Sequence, residues 1–161
     1  MNKRLINSAV YALAAMLLIP VSYASANDDN GVFPHIDGNS QFPQTRVSNV
    51  RHTFEVHIPK NSKSVSHIFI QVPEVVKWSS KAKNVVVNGN GKKVNANVTI
   101  HEKTITLAFA EPVVPDTHLS IDINNVRRVT LGNGSVYRLS TKFESSEITM
   151  PIGVVRFRIQ G

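Results

Sequence analysis

The stretch Val85-Val86-Val87-Asn88-Gly89-Asn90-Gly91-Lys92-Lys93-Val94-Asn95-Ala96-Asn97-Val98-Thr99-Ile100 decides the fold class. Three β-branched residues run into Asn-Gly-Asn-Gly, residue types that tolerate the positive φ of a tight turn, and Val94, Ala96, Val98 and Ile100 then alternate with polar residues. A β-hairpin is predicted, and the same period of two extends outward from it. Upstream, Phe54, Val56 and Ile58 alternate with Thr53, Glu55 and His57. Pro59-Lys60-Asn61-Ser62 reads as a turn into a second apolar run, Val65 to Val72, so these two segments are expected to form another hairpin. Glu74 to Trp78 reads as one helical turn or a crossover between sheets. Downstream, His101-Glu102-Lys103 turns into Ile105, Leu107 and Phe109, and Pro112 and Pro115 bracket a loop because neither can donate to a central ladder. Leu119, Ile121 and Ile123 begin a further strand, Gly132-Asn133-Gly134 turns into Val136 to Thr141, and Val155, Phe157 and Ile159 close the chain. The expected fold is all-β, an antiparallel immunoglobulin-like β-sandwich of about seven to nine strands, with a barrel as the alternative.

The N-terminus has a different pattern. Lys3 and Arg4 precede an apolar run from Ala9 to Ile19, then Pro20 and Ala24-Ser25-Ala26. A charged start, a short apolar run and small residues at the cleavage position describe a secretory signal peptide over residues 1–26, helical in its apolar part. Residues 27–48 are rich in Asn, Asp, Gly, Pro and Gln, and Phe33-Pro34 and Phe42-Pro43 hold their preceding residues away from helix, so an extended arm lying along the domain is expected. The sandwich is assigned to residues 49–161.

Loss of the signal removes two of the 18 basic residues and none of the 11 acidic ones, leaving 16 against 11, a net +5. Such a charge favours anionic partners through a salt-sensitive field: phosphorylated or uronic polysaccharide, or anionic lipid head groups. Nucleic acid answers to the same field, but no nucleic-acid partner is expected. With no cysteine, disulfides, thiol chemistry and a lipidated cysteine are all excluded. No apolar run after the signal has the roughly 20 residues of a membrane-spanning helix. The expected compartment is periplasmic or extracellular.

The chain contains no Gly-x-Ser-x-Gly elbow, His-Glu-x-x-His pair, phosphate-binding glycine loop or dinucleotide fingerprint, and a non-catalytic protein without a cofactor is expected. For binding, Arg156 and Arg158 point away from the face of Val155, Phe157 and Ile159. Arg127-Arg128 and Lys92-Lys93 lie near turns, and Trp78 offers a flat apolar face with a polar edge for stacking on a sugar. Metal binding is a weaker alternative. On a hairpin turning near Ser62, His57 and His67 would face each other closely enough to share copper or zinc. Asp28, Asp29 and Asn30, or Asp122 and Asn124, offer oxygen ligands for calcium but lack a binding loop. Asn97-Val98-Thr99 and Asn133-Gly134-Ser135 fit a glycosylation sequon.

Several segments in order carry a resemblance: Phe33-Pro34-His35, Thr53-Phe54-Glu55-Val56-His57-Ile58-Pro59, Ile105-Thr106-Leu107-Ala108-Phe109 with Pro112-Val113-Val114-Pro115, Leu119 to Val126, Tyr137-Arg138-Leu139, and Pro151 to Ile159. The chain resembles the small secreted, mostly cyanobacterial proteins classed as domain of unknown function 2808. The resemblance implies an exported β-domain and carries over no site residues. Three roles are therefore expected, in this order. The first is binding of an anionic cell-envelope or extracellular component, with an anionic envelope polysaccharide or another envelope protein as partner. The second is an assembly or adhesion subunit whose arm joins a neighbour's sheet edge. The third is a periplasmic copper or zinc carrier. Oligomeric state is open.

Overall fold

The computed structural model describes residues 31–44, 47–130 and 132–159. The signal peptide read at 1–26, with Asp28, Asp29 and Asn30, lies outside the described residues. Among the described residues, eleven strands form two antiparallel sheets. The first sheet contains β1 (His35–Phe42), β2 (Asn49–Ile58), β9 (Thr117–Arg127), β5 (Val85–Gly89) and β6 (Lys92–Lys93) in that order, and β4 (Lys77–Trp78) also pairs with β9. The second runs β11 (Thr149–Phe157), β10 (Ser135–Phe143), β3 (Val65–Gln71), β8 (Thr104–Val113) and β7 (Ala96–His101).

The alternation seen in the sequence becomes the two faces of each sheet. On β2, Val50, His52, Phe54, Val56 and Ile58 point into the sandwich, and on β9 Leu119, Ile121 and Ile123 do so opposite them. Ile68 and Ile70 on β3, Ile105 and Leu107 on β8, and Tyr137 and Leu139 on β10 supply the other half of the core. The strand count exceeds the expected seven to nine because β4 and β6 are two-residue pieces and because residues 35–42 of the arm form β1 along β2.

The second predicted hairpin is corrected. β2 and β3 do not pair; they lie in different sheets, and Pro59 to Ser64 carries the chain across the sandwich. Two apolar strands joined by a short polar turn read alike whether the turn returns within a sheet or crosses between sheets. Glu74 to Val76 makes the reverse crossing, returning the chain from β3 to β4. The Asn-Gly-Asn-Gly hairpin is real but brief. Asn88 pairs with Lys93 and Gly89 with Lys92, after which the chain leaves for β7 in the other sheet.

One flank of the sandwich is closed by β1 and β11, edge strands of opposite sheets that pack together. Gly153 of β11 lies so close to Ile36 of β1 that a Cβ there would sit 2.6 Å from Ile36 Cδ1. Between these edges an aromatic cluster fills the core: Phe54, Tyr137 and Phe157 meet edge to face, and His52 stacks flat on Phe157 with centroids 3.9 Å apart.

Candidate functional site

Two places on β1 bring chemistry-bearing side chains together. The first is the seam with β11. Because Asn39 pairs with Phe54 and Gln41 with His52, both polar side chains point toward the opposite sheet at its edge. Asn39 Nδ2 donates to the Arg156 carbonyl at 3.2 Å. Gln41 Oε1 lies 3.2 Å from His52 Nε2, and the Tyr137 hydroxyl lies 2.8 Å from His52 Nδ1. One neutral tautomer satisfies both contacts: Nε2–H donates to Gln41, and the Tyr137 O–H donates to Nδ1. Burial holds His52 in that neutral form, its pKa lowered to about 4, and pushes the Tyr137 phenol upward. Above this anchored pair lies an open groove of about 330 Å³, lined by Asn39, Ser40, Gln41, Gln44, Arg156, Phe157 and Arg158. Arg156 and Arg158 are exposed, and neither forms an ion pair among the described residues.

The second place is the outer face of the first sheet, at the other end of β1. His35, His57 and His118 stand in one row across β1, β2 and β9, since His57 pairs with both of the others. The His57 and His118 rings stack at 4.1 Å and 6°, and His35 meets His57 edge-on at 5.1 Å. A register shift between Ile36 and Gly38 leaves Asp37 unpaired beside the row. Its carboxylate lies 3.1 Å from His35 Nε2 and 3.4 Å from His118 Nδ1. Asn90 holds the backbone of His118 from the far side, its N–H donating to the His118 carbonyl and its Oδ1 accepting from the His118 N–H, each at 2.9 Å.

Against known proteins, residues 36–147 match the family described as protein of unknown function (DUF2808). The chain belongs to the DUF2808 family. Comparison with curated proteins yields no match. Among solved structures, this DUF2808 sandwich is similar to the pilus backbone RrgB of Streptococcus pneumoniae at 9% identity and TM-score 0.50, covering 70% of this chain and 31% of that one. It is also similar to a collagen-binding domain from a Staphylococcus aureus adhesin, at 13% identity and TM-score 0.47, covering 81% and 99%. At 9% identity the likeness to RrgB shows a shared fold alone.

The residues singled out in the DUF2808 sequence separate into four groups. Arg156 and Arg158 line the seam groove. Arg127 lies elsewhere, between Asn49 of β2 and Lys77 of β4, with Arg128 donating its N–H to the Ser48 carbonyl. Trp78 pairs with Val126 and packs half-buried against the core. The fourth group, the proposed His57 and His67 pair, is not formed. His67 lies on β3 between Ala108 and Lys142, in the opposite sheet from His57, because the connection after Ile58 crosses the sandwich. Asp122 and Asn124 are engaged by protein groups: Thr53 Oγ1 donates to Asp122 Oδ1 at 2.6 Å, and Asn124 Nδ2 donates to the Asn84 carbonyl at 3.2 Å. Thr53→Val is expected to lower stability by about 1–2 kcal/mol, read by urea denaturation, since it strips a charged acceptor of its donor. Sequence reading missed the roles of His35, Asp37 and His118. Three histidines 22 and 61 residues apart carry no local spacing signal, and only the strand order puts them side by side.

Proposed function

We propose that this DUF2808 protein is an exported, non-catalytic β-sandwich that binds an anionic component of the cell envelope or extracellular matrix along the β1/β11 seam. The observation that carries this reading is the groove in which Arg156 and Arg158 stand beside Asn39, Gln41 and Gln44. Two exposed guanidiniums offer forked donors to carboxylate or phosphate. With Gln41 Oε1 accepting from His52, the amide N–H groups of Gln41 remain for a ligand. An open, elongated seam between two edge strands suits an extended polymer better than an enclosed small molecule. Cleavage after Ala26 and release to the periplasm or exterior belong to the same proposal. Among the described residues, no helix is long and apolar enough to cross a membrane.

The test is retention of the purified protein on fractionated envelope and secreted polymers of its host. One acidic fraction should hold it at about 0.01 M salt and release it near 1 M, as the Debye length falls from about 30 to about 3 Å. Retention on no fraction at low salt overturns the proposal.

An assembly or adhesion subunit is the second reading, supported by the fold shared with a pilus backbone protein and by the outer edge of β7, unpaired among the described residues. Assembly through the arm would require β1 to leave its own sheet, where it already pairs with β2. A molecular mass by light scattering that stays monomeric at every concentration would remove this reading.

A further inference from the structure

We propose that His35, Asp37 and His57, with His118 completing the set, form a binding site for one divalent transition-metal ion of the zinc and copper class. This inference is independent of the seam: it uses the opposite end of β1 and a different face of the sheet.

The decisive atom is His35 Nε2. On the far side of the ring, Nδ1 lies 3.3 Å from the Phe33 carbonyl, an acceptor only, so Nδ1 carries the proton and donates. In the neutral ring that leaves Nε2 with an in-plane lone pair. This nitrogen is sealed from solvent and has no hydrogen-bond partner among the described residues, although Asp37 Oδ1 is only 3.1 Å away. Two electron-rich atoms at that distance repel unless a cation, either a proton on Nε2 or a metal ion, lies between or beside them. An imidazole whose outer nitrogen donates to a backbone carbonyl while its inner nitrogen faces a carboxylate is also the arrangement that fixes the tautomer of a metal-ligating histidine.

The surrounding residues complete the donor set. One ligand atom each from His35, Asp37 and His57 lie within 4.8 Å of one another. Bonds of about 2.0 Å in a tetrahedron require ligand atoms about 3.3 Å apart. No pair must therefore contract by more than about 1.5 Å, a change that χ rotation of Asp37 and His35 on the edge strand can supply. His118, stacked on His57 and 3.4 Å from Asp37 Oδ2, is placed as the fourth ligand, and its side chain is 60% exposed, so it can swing inward. His57 is 4% exposed although it lies on the outer face of its sheet, because the neighbouring imidazoles cover it. Three imidazoles and one carboxylate select zinc or copper over magnesium or calcium, which take oxygen ligands. The sequence offers no thiolate to compete.

The test uses tag-free purified protein, treated with a chelator, dialysed, and titrated calorimetrically with zinc chloride, copper(II) chloride and, as comparator, magnesium chloride. One zinc or copper ion per chain is expected, with magnesium silent. Asp37→Asn and His35→Gln should each weaken binding by about 10–100-fold or more. His118→Ala, at an exposed position where folding tolerates change, should also weaken it, while His67→Ala on the opposite sheet should leave it unchanged. Absence of binding, or binding that survives Asp37→Asn, His35→Gln and His118→Ala at full affinity, overturns the proposal. Equal loss with His67→Ala would overturn it too, by showing scattered surface histidines at work.

Discussion

Gly134→Ala is expected to cost about 3 kcal/mol or more of folding stability and to lower the melting temperature by roughly 10 °C or more. Gly134 lies immediately before β10 with φ at +85°, a region where an L side chain is strained, and a Cβ there would sit 2.2 Å from the Phe157 carbonyl oxygen. The obstacle is backbone, so no rotamer change can relieve it. Either the turn at 132–134 or the end of β11 must move. Moving β11 displaces Phe157 from its stack with His52 and its edge contacts with Phe54 and Tyr137, loosening the aromatic cluster that joins the two sheets at this flank. Thermal unfolding of the variant beside the parent checks this. An unchanged midpoint would mean that Gly134 is not under the constraint its geometry implies.

Acid should unfold the protein through His52. Its folded pKa of about 4 lies below the ordinary 6.5 because burial penalises the imidazolium. The unfolded chain therefore takes up this proton first as the pH falls. The stabilisation is complete above about pH 6.5 and is lost progressively down to about pH 4, amounting to about 3 kcal/mol. The double variant His52→Phe/Tyr137→Phe removes both partners of the buried hydrogen bond while keeping two rings in the cluster. Urea denaturation at pH 7 and pH 4.5 should show a smaller difference for the double variant than for the parent. Equal differences would mean that carboxylates elsewhere govern the acid limb.

Much of the fold is legible from alternation alone. Phe54-Val56-Ile58, Ile105-Leu107-Phe109 and Leu119-Ile121-Ile123 occupy strands with the predicted faces inward. Burial on one face is a local property, and period two records it. Strand pairing is not local, and there the sequence misleads. Ile58 and Val65 flank a short polar turn, yet each finds its partners in a different sheet. The arm shows the same limit. Asn39 and Gln41 look like loop residues because they are polar, but they sit at a sheet edge where an inward side chain meets a seam rather than a core. The candidate sites inherit this division. Arg156 and Arg158 could be singled out from the pattern around Val155 and Phe157, whereas their polar companions come from a segment more than a hundred residues earlier. The imidazole row is half-legible: the hairpin pattern singles out His57 but sets it opposite His67, which lies on β3 in the other sheet.

On the proposed reading the seam, rather than the basic pair beside β4, carries the binding surface. The most direct measurement compares Arg156→Gln/Arg158→Gln with Arg127→Gln/Arg128→Gln, two variants that remove equal charge, in salt-dependent retention on the same acidic polymer fraction. Equal charge removal matches the long-range attraction, so any difference reports local contact. The seam variant should elute at markedly lower salt than the other, which should stay near the parent. Identical elution of the two variants, or a larger loss from Arg127→Gln/Arg128→Gln, would rule out the seam as the binding surface.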